Sequence, residues 1–185
     1  LTREDPDIAG AVQDILEDEG IDVLLESEVS QIFLQRGETF VAEVAAEDGE
    51  KRLEGSHFLV AAGRRPNSDG LNLETAGIQM DARGYIAVDD RLQTHTRGIF
   101  AIGDVKGGPA FTHISYDDYR IIFQNLIRGG NRSVNDRPVP YTLFMDPQLG
   151  RVGLSEQQAA QAGRHFRVAK MPMSFVARAL EIDRA

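Results

Sequence analysis

Hydrophobic and polar positions change period several times along this chain, and each change predicts an element. Ile8, Val12, Ile15 and Leu16 fall on one helical face. Asp5 can cap that helix, Pro6 suits its first position and Gly20 suits the residue just past its end. Ile21, Val23 and Leu25 then alternate with polar residues, as in a strand. Residues 29–34 and 39–46 are two more strands, joined by a turn around Arg36-Gly37. Asp48-Gly49 is a hairpin signal leading into a strand at 51–54. His57 to Ala62 (HFLVAA) is a continuous apolar run, which suits a strand buried on both faces of a parallel sheet.

The break Gly63-Arg64-Arg65-Pro66-Asn67 follows. Residues 71–77 predict a turn or short helix, 85–88 a short strand, and 98–102 a buried strand ending at Gly103-Asp104. Gly107-Gly108-Pro109 is a loop. Residues 115–128 read as a helix, with Ser115 as cap, Asp118 at the box position, Ile121, Ile122 and Leu126 on one side, and Gly129-Gly130 as the stop. The polar, proline-containing stretch 131–140 reads as a linker. Residues 141–145 and 151–153 look extended. Ser155-Glu156-Gln157-Gln158 is a capping box opening a helix to about Gly163, and 166–173 alternates like another strand. No internal repeat is present.

Composition narrows the function classes. With 185 residues, 42% apolar and 26% charged, this is an ordinary globular composition with room for one or two domains. No run approaches the roughly 18 apolar residues of a membrane span. The first residues, LTREDPDIAG, resemble neither a signal nor a transit peptide, and the missing initial Met leads us to expect a piece of a longer chain. A formal net charge of −9 argues against binding a phosphate backbone, so no nucleic-acid partner is expected. The absence of Cys removes disulfides, thiolate metal sites and a Cys nucleophile from these residues. The four histidines (His57, His95, His113, His165) lack metal-ligand spacing, so no metal site is assigned. Asn131-Arg132-Ser133 reads as a chance glycosylation sequon.

The segment with the clearest chemistry is Thr96-Arg97-Gly98-Ile99-Phe100-Ala101-Ile102-Gly103-Asp104. A buried strand would deliver a carboxylate to its C-terminal end, where ligands bind in open α/β sheets. Gly103 would allow close backbone approach, and Asp104 could accept hydrogen bonds from sugar or polyol hydroxyls. Taken alone, Asp104 could equally begin a turn.

This segment resembles the second FAD motif, T-x-x-x-I-[FY]-A-x-G-D, of the pyridine nucleotide-disulfide oxidoreductases. That family includes dihydrolipoamide dehydrogenase, glutathione reductase and mercuric reductase. The resemblance makes Asp104 the ligand of the FAD ribityl chain, with Gly103 beside it. Val60-Ala61-Ala62-Gly63-Arg64-Arg65-Pro66-Asn67 is similar to the family's crossover from the NAD(P) domain back to the FAD domain, with Gly63 against the dinucleotide. Val29, in Glu28-Val29-Ser30, matches a position near the adenosine end of NAD(P). Pro140-Tyr141-Thr142-Leu143-Phe144 and Arg151-Val152-Gly153-Leu154-Ser155-Glu156 resemble the start of the dimerisation domain. By the same resemblance Ala110, Phe111, Thr112 and His113 lie beside the isoalloxazine, where a helix N-terminus favours negative charge. His113 by itself also suits capping or packing. The form of residues 111–120 is closest to the mercuric reductase branch and its copper-reducing, reactive-chlorine-resistance relatives. The Asp117-Asp118 pair reads as a solvated, dipole-favoured first turn rather than a metal site.

The implied fold class is α/β: parts of two Rossmann-like FAD/NAD(P)-binding domains with a three-stranded β-meander, then the start of an α+β dimerisation domain. The implied boundaries are 1–62 for the NAD(P) part, 63–130 for the FAD part, 131–140 for the linker and 141–185 for the dimerisation part. The implied protein is a cytoplasmic homodimer, paired through the domain starting near Tyr141. It would transfer electrons from NAD(P)H via FAD to a small-molecule, disulfide or metal-ion acceptor, with no membrane partner. No G-x-G-x-x-G turn occurs in the sequence. The family's cysteine pair and His-Glu pair would lie outside these residues, so no catalytic residue is assigned within them. The alternative is a non-catalytic nucleotide-binding or dimerisation module.

Overall fold

A computed structural model describes residues 2–35, Gly37 and 39–181. It divides into two compact units, one of Leu1–Ala62 with Leu154–Ala185 and one of Gly63–Gly153.

The first unit begins with α1 (Pro6–Asp18), which has Asp5 in the N-cap position and a proline in its first turn. Gly20, at φ +81, ends it, with the Gly20 and Ile21 amides closing on Glu17 and Leu16. The Asp5 side chain does not cap α1. It accepts instead from the backbone amides of Glu156 (2.7 Å) and Gln157 (3.0 Å) at the start of α3 (Glu156–Gln161). Ser155 and Gln158 complete that helix start with the reciprocal capping box expected from the sequence.

The meander is as expected: β1 (Glu28–Gln35), β2 (Thr39–Ala46) and β3 (Gly49–Gly55) form an antiparallel sheet in chain order. Arg36 of the expected first turn lies outside the described residues. The second turn is Glu47-Asp48, closed by the pair Ala46↔Gly49, so it falls one residue before the Asp48-Gly49 position expected. Val41 and Val44 point to opposite faces of β2, yet both are buried, which marks β2 as the covered centre of the sheet. A register shift between Val29 and Gln31 puts an extra residue in β1, and the Ser30 hydroxyl donates to the Glu43 carbonyl across it.

Three expected strands of this unit do not form. Residues 21–25, 57–62 and 166–173 have no ladder partner among the described residues. The run at 57–62 is exposed rather than buried, with Leu59 at 87% and Val60 at 71%. Phe58 has a ring neighbour, Phe40 of β2, at 6.4 Å. An apolar run states that a segment needs cover, but not which chain provides it.

The second unit has little regular secondary structure and many closed turns. Asp81 Oδ1 accepts from the amides of Arg83 and Tyr85. Asp89 Oδ1 does the same for Arg91 and Gln93. Single bridges Met80↔Ile86, Val88↔Thr94 and Gln93↔Phe100 replace the strands expected at 85–88 and 98–102. Leu73, Ile86 and Ala101 form a small core, with Ile78, Val88 and Val105 against it.

Helix α2 (Thr112–Ile127) starts three residues before the predicted position, after Phe111, and has no side-chain cap. Ser115 is therefore inside the helix, donating to the Phe111 carbonyl at 3.4 Å. Asp118 is past the first turn and points inward with Ile114 and Ile121. The stretch 131–140, expected as a plain linker, is held in place. Asn125 of α2 makes two hydrogen bonds to the Arg132 backbone, at 2.7 and 2.8 Å. The Asp90 carboxylate accepts from the Ser133 hydroxyl, and the Asp90 carbonyl from the Val134 amide. A short hairpin, β4 (Tyr141–Leu143) and β5 (Leu149–Arg151), closes the unit.

Candidate functional site

Residues 99–102 run on from a turn at Arg97-Gly98 and are tied to their own neighbourhood. The Thr94 amide donates to the Ile99 carbonyl and the Ala101 amide to that of Leu92, and Ala101 is buried. The chain then tightens into a helical turn, Gly103–Lys106, with Asp104 in its first turn. Gly103 has φ +70, a left-handed conformation that suits glycine. A Cβ there would lie 3.0 Å from the Ser115 hydroxyl, so the turn is pressed against α2.

Asp104 is half exposed, and one of its oxygens lies 3.8 Å from the Arg64 guanidinium. Both line an open cleft of about 320 Å³ together with Arg65, Asn67, Tyr85 and Ala110. Residues 64–67, the carboxylate of the Gly-Asp turn and the approach to α2 thus meet at one place. At a long, exposed separation the Arg64–Asp104 pair contributes little by itself, and it leaves the carboxylate able to accept from a ligand.

At the start of α2 lies an aromatic stack. Phe111 is nearly parallel to His113 at 5.2 Å between centroids and to Tyr141 at 5.8 Å. His113 Nε2 is 2.9 Å from the Pro140 carbonyl, a contact in which the imidazole donates. His113 is thus stacked on Phe111 and bonded to the Pro140 carbonyl. Phe111, Thr112 and His113 border a second, larger cleft of about 630 Å³ with Pro140, Tyr141 and Arg151. Gly63 opens this unit with φ +106, and a Cβ there would meet only open space. Val29 belongs to the other unit, exposed on β1 at the bulge.

Asp118 departs from its sequence expectation. It is not solvated: its side chain is 0% exposed. Oδ2 accepts from the Gly103 amide at 2.8 Å and lies 3.4 Å from Lys106 Nζ, while Oδ1 accepts from Arg137 Nη1 at 2.6 Å. Neighbouring Asp117 meets Arg132 and Arg137 at 3.2 and 3.4 Å. The signal in the sequence is spacing: Ile114, Asp118 and Ile121 share one helical face. Among the described residues no cluster of three or more His, Cys, Asp or Glu could hold a metal.

Comparison with known proteins fixes the class. Residues 1–118 match the family model of the pyridine nucleotide-disulphide oxidoreductases, and residues 139–184 match that family's dimerisation domain. The chain belongs to this family. A probable pyridine nucleotide-disulfide oxidoreductase, RclA of Escherichia coli, is 42% identical over 97% of the chain and 40% of its own length. A Bacillus cereus mercuric reductase is 33% identical over 97% of the chain and 28% of its own length. The solved structure of the HOCl-induced flavoprotein disulfide reductase RclA from Escherichia coli superposes with a TM-score of 0.84 at 41% identity, covering 99% of this chain and 41% of that one. The chain thus spans about 40% of the length of these RclA sequences and structures. The mixed α/β fold with its antiparallel meander is that of the family.

Proposed function

We propose that the chain is the part of an FAD-dependent NAD(P)H oxidoreductase that holds the flavin's ribityl chain and begins its dimer interface. The observation that carries this reading is the meeting of Asp104, the 64–67 crossover and Ala110 in one cleft. The donor set fits FAD: a half-exposed carboxylate can accept from ribityl hydroxyls, and an uncapped helix start follows it closely in the chain. Bound FAD supplies hydride acceptance from a reduced nicotinamide and onward electron transfer to the acceptor.

The chain's own residues bind and orient. Asp104 fixes the ribityl chain, with Gly103 keeping the backbone close. Ala110, Phe111, Thr112 and His113 bring the positive end of α2 to the isoalloxazine. Gly63 and Val29 approach the NAD(P) side. Residues 1–62 form part of the NAD(P) domain, 63–130 part of the FAD domain and 141–185 the start of a homodimer interface, with 131–140 between. The acceptor is a disulfide or a metal ion, the classes indicated by the names of the disulfide reductase and mercuric reductase relatives. We place the enzyme in the cytoplasm, where reduced nicotinamide is generated.

The test is the flavin content of the intact enzyme. Asp104→Ala should weaken FAD retention by about 1.5–3 kcal/mol, the worth of a charge-assisted hydrogen bond. Unchanged flavin content after gel filtration would remove Asp104 from the site. The 185-residue chain alone, lacking any pyrophosphate-seating glycine turn, should not consume NAD(P)H with added FAD.

A further inference from the structure

We infer that Asp118 is a positioning residue for the flavin-binding turn: through its buried carboxylate it sets the conformation in which Gly103 presents Asp104. The inference rests on the assignment of Asp104 to the flavin.

Burying a carboxylate is costly unless it is paired and hydrogen-bonded. Asp118 meets that condition from three directions. The Gly103 amide, Lys106 and Arg137 converge on it, and Lys106 and Arg137 are themselves nearly buried, each 7% exposed. Gly103 and Lys106 are the two ends of the turn that carries Asp104. A single rigid carboxylate on α2 therefore grips both ends of that turn. Arg137 connects the same carboxylate to the chain beyond α2, and it also meets Asp117. Ser115, one helical turn before Asp118, packs directly against Gly103. The turn is thus fixed on α2 at two consecutive levels, by contact at Ser115 and by charge-assisted hydrogen bonding at Asp118.

An ordinary buried ion pair would stabilise the fold without setting ligand geometry. The feature that separates the two roles is the Gly103 amide, on the residue adjacent to the proposed ligand. Without its acceptor, Gly103 is free to turn its amide away and carry Asp104 with it. The proposal therefore places Asp118 behind the ligand rather than in contact with it.

The experiment uses the intact enzyme, apo-protein reconstituted with FAD, and reads FAD affinity, the visible flavin spectrum and the melting temperature of the apo form. Asp104→Ala is the reference. If it leaves FAD affinity unchanged, the flavin assignment itself fails. If it weakens FAD, the Asp118 variants decide the present inference. Asp118→Ala should weaken FAD about tenfold or more, the scale of one charge-assisted hydrogen bond. It should also shift the bound flavin's bands. Asp118→Asn keeps an oxygen acceptor for Gly103 and should recover most of the affinity, while its apo melting temperature remains low because Arg137 and Lys106 lose their counter-charge. The double variant Asp118→Leu with Lys106→Met removes the carboxylate together with its buried lysine and leaves Arg137 paired with Asp117, and so retains a folded apo-protein. It should still bind FAD about tenfold more weakly, the loss expected with the acceptor gone. The inference is overturned if the folded double variant binds FAD like the wild type. It is also overturned if Asp118→Asn loses as much affinity as Asp118→Ala.

Discussion

The two apolar runs at 57–62 and 98–102 have similar sequences and opposite fates. Both read as strands buried within a sheet. The run at 98–102 is bonded to residues 92 and 94 and buries Ala101 to 6% exposure. The run at 57–62 leaves Leu59 and Val60 almost bare. The difference lies in where the partners are along the chain. The run at 98–102 folds back on a turn that Asp89 has just closed, so its cover costs little loop entropy. Among the described residues, the run at 57–62 pairs with no strand and meets β2 through the Phe58–Phe40 ring contact. Hydrophobic content specifies the demand for burial, and chain distance decides whether these residues can meet it.

The contrast can be broken most strongly by a charge. Ala101→Asp should destabilise the 63–153 unit by about 3 kcal/mol or more, because it buries an unpaired carboxylate. Urea unfolding would measure this. The parallel change Val60→Asp should stay within about 0.5 kcal/mol in the 185-residue chain, as for other exposed positions. In the larger oxidoreductase proposed above, the same change should cost several times more, a neighbouring strand covering the run there. Equal effects in both settings would show that the run is a surface in that protein too.

The unit that holds the bare run is tied by polar links between distant segments. Removing the Asp5 carboxylate with Asp5→Ala should cost about 1 kcal/mol, the scale of a helix cap, with loss of amide protection at Glu156 and Gln157. The smallest effect belongs to the exposed cluster Asp7–Lys170–Glu156. The Lys170 hydrogen bond holds the Asp7 carboxyl below its ordinary value of 3.8, so that contribution is present above the unfolded value and fades as pH falls through the folded one. The same bond holds Lys170 above 10.5, so its contribution is present below that value and fades as pH rises through the folded one. The difference in melting temperature between wild type and Lys170→Met should therefore be flat through neutral pH and shrink at both extremes.

Local signals are legible in the sequence. The alternation of 39–46, the hairpin near 47–49 and the capping box at Ser155 each involve residues within a few positions of one another. The order of the motifs carries the family. Long-range pairing is less accessible: residues 21–25 and 166–173 have the period of a strand but no described partner. The start of α2 is hidden because Phe111 has no capping chemistry, whereas Ser115 has it and does not use it there. The burial of Asp118 is masked because its charge suggests solvent, although its spacing with Ile114 and Ile121 places it on the inner face.

The contact between Gly103 and Ser115 has an evolutionary consequence. A side chain at 103 faces both a left-handed backbone and the Ser115 hydroxyl, so shrinking residue 115 relieves only one obstacle. A larger side chain at 115 would in turn press on Gly103, whose amide is held by Asp118. In a randomised library these positions would not drift independently: glycine should be retained at 103, and 115 should be confined to small residues.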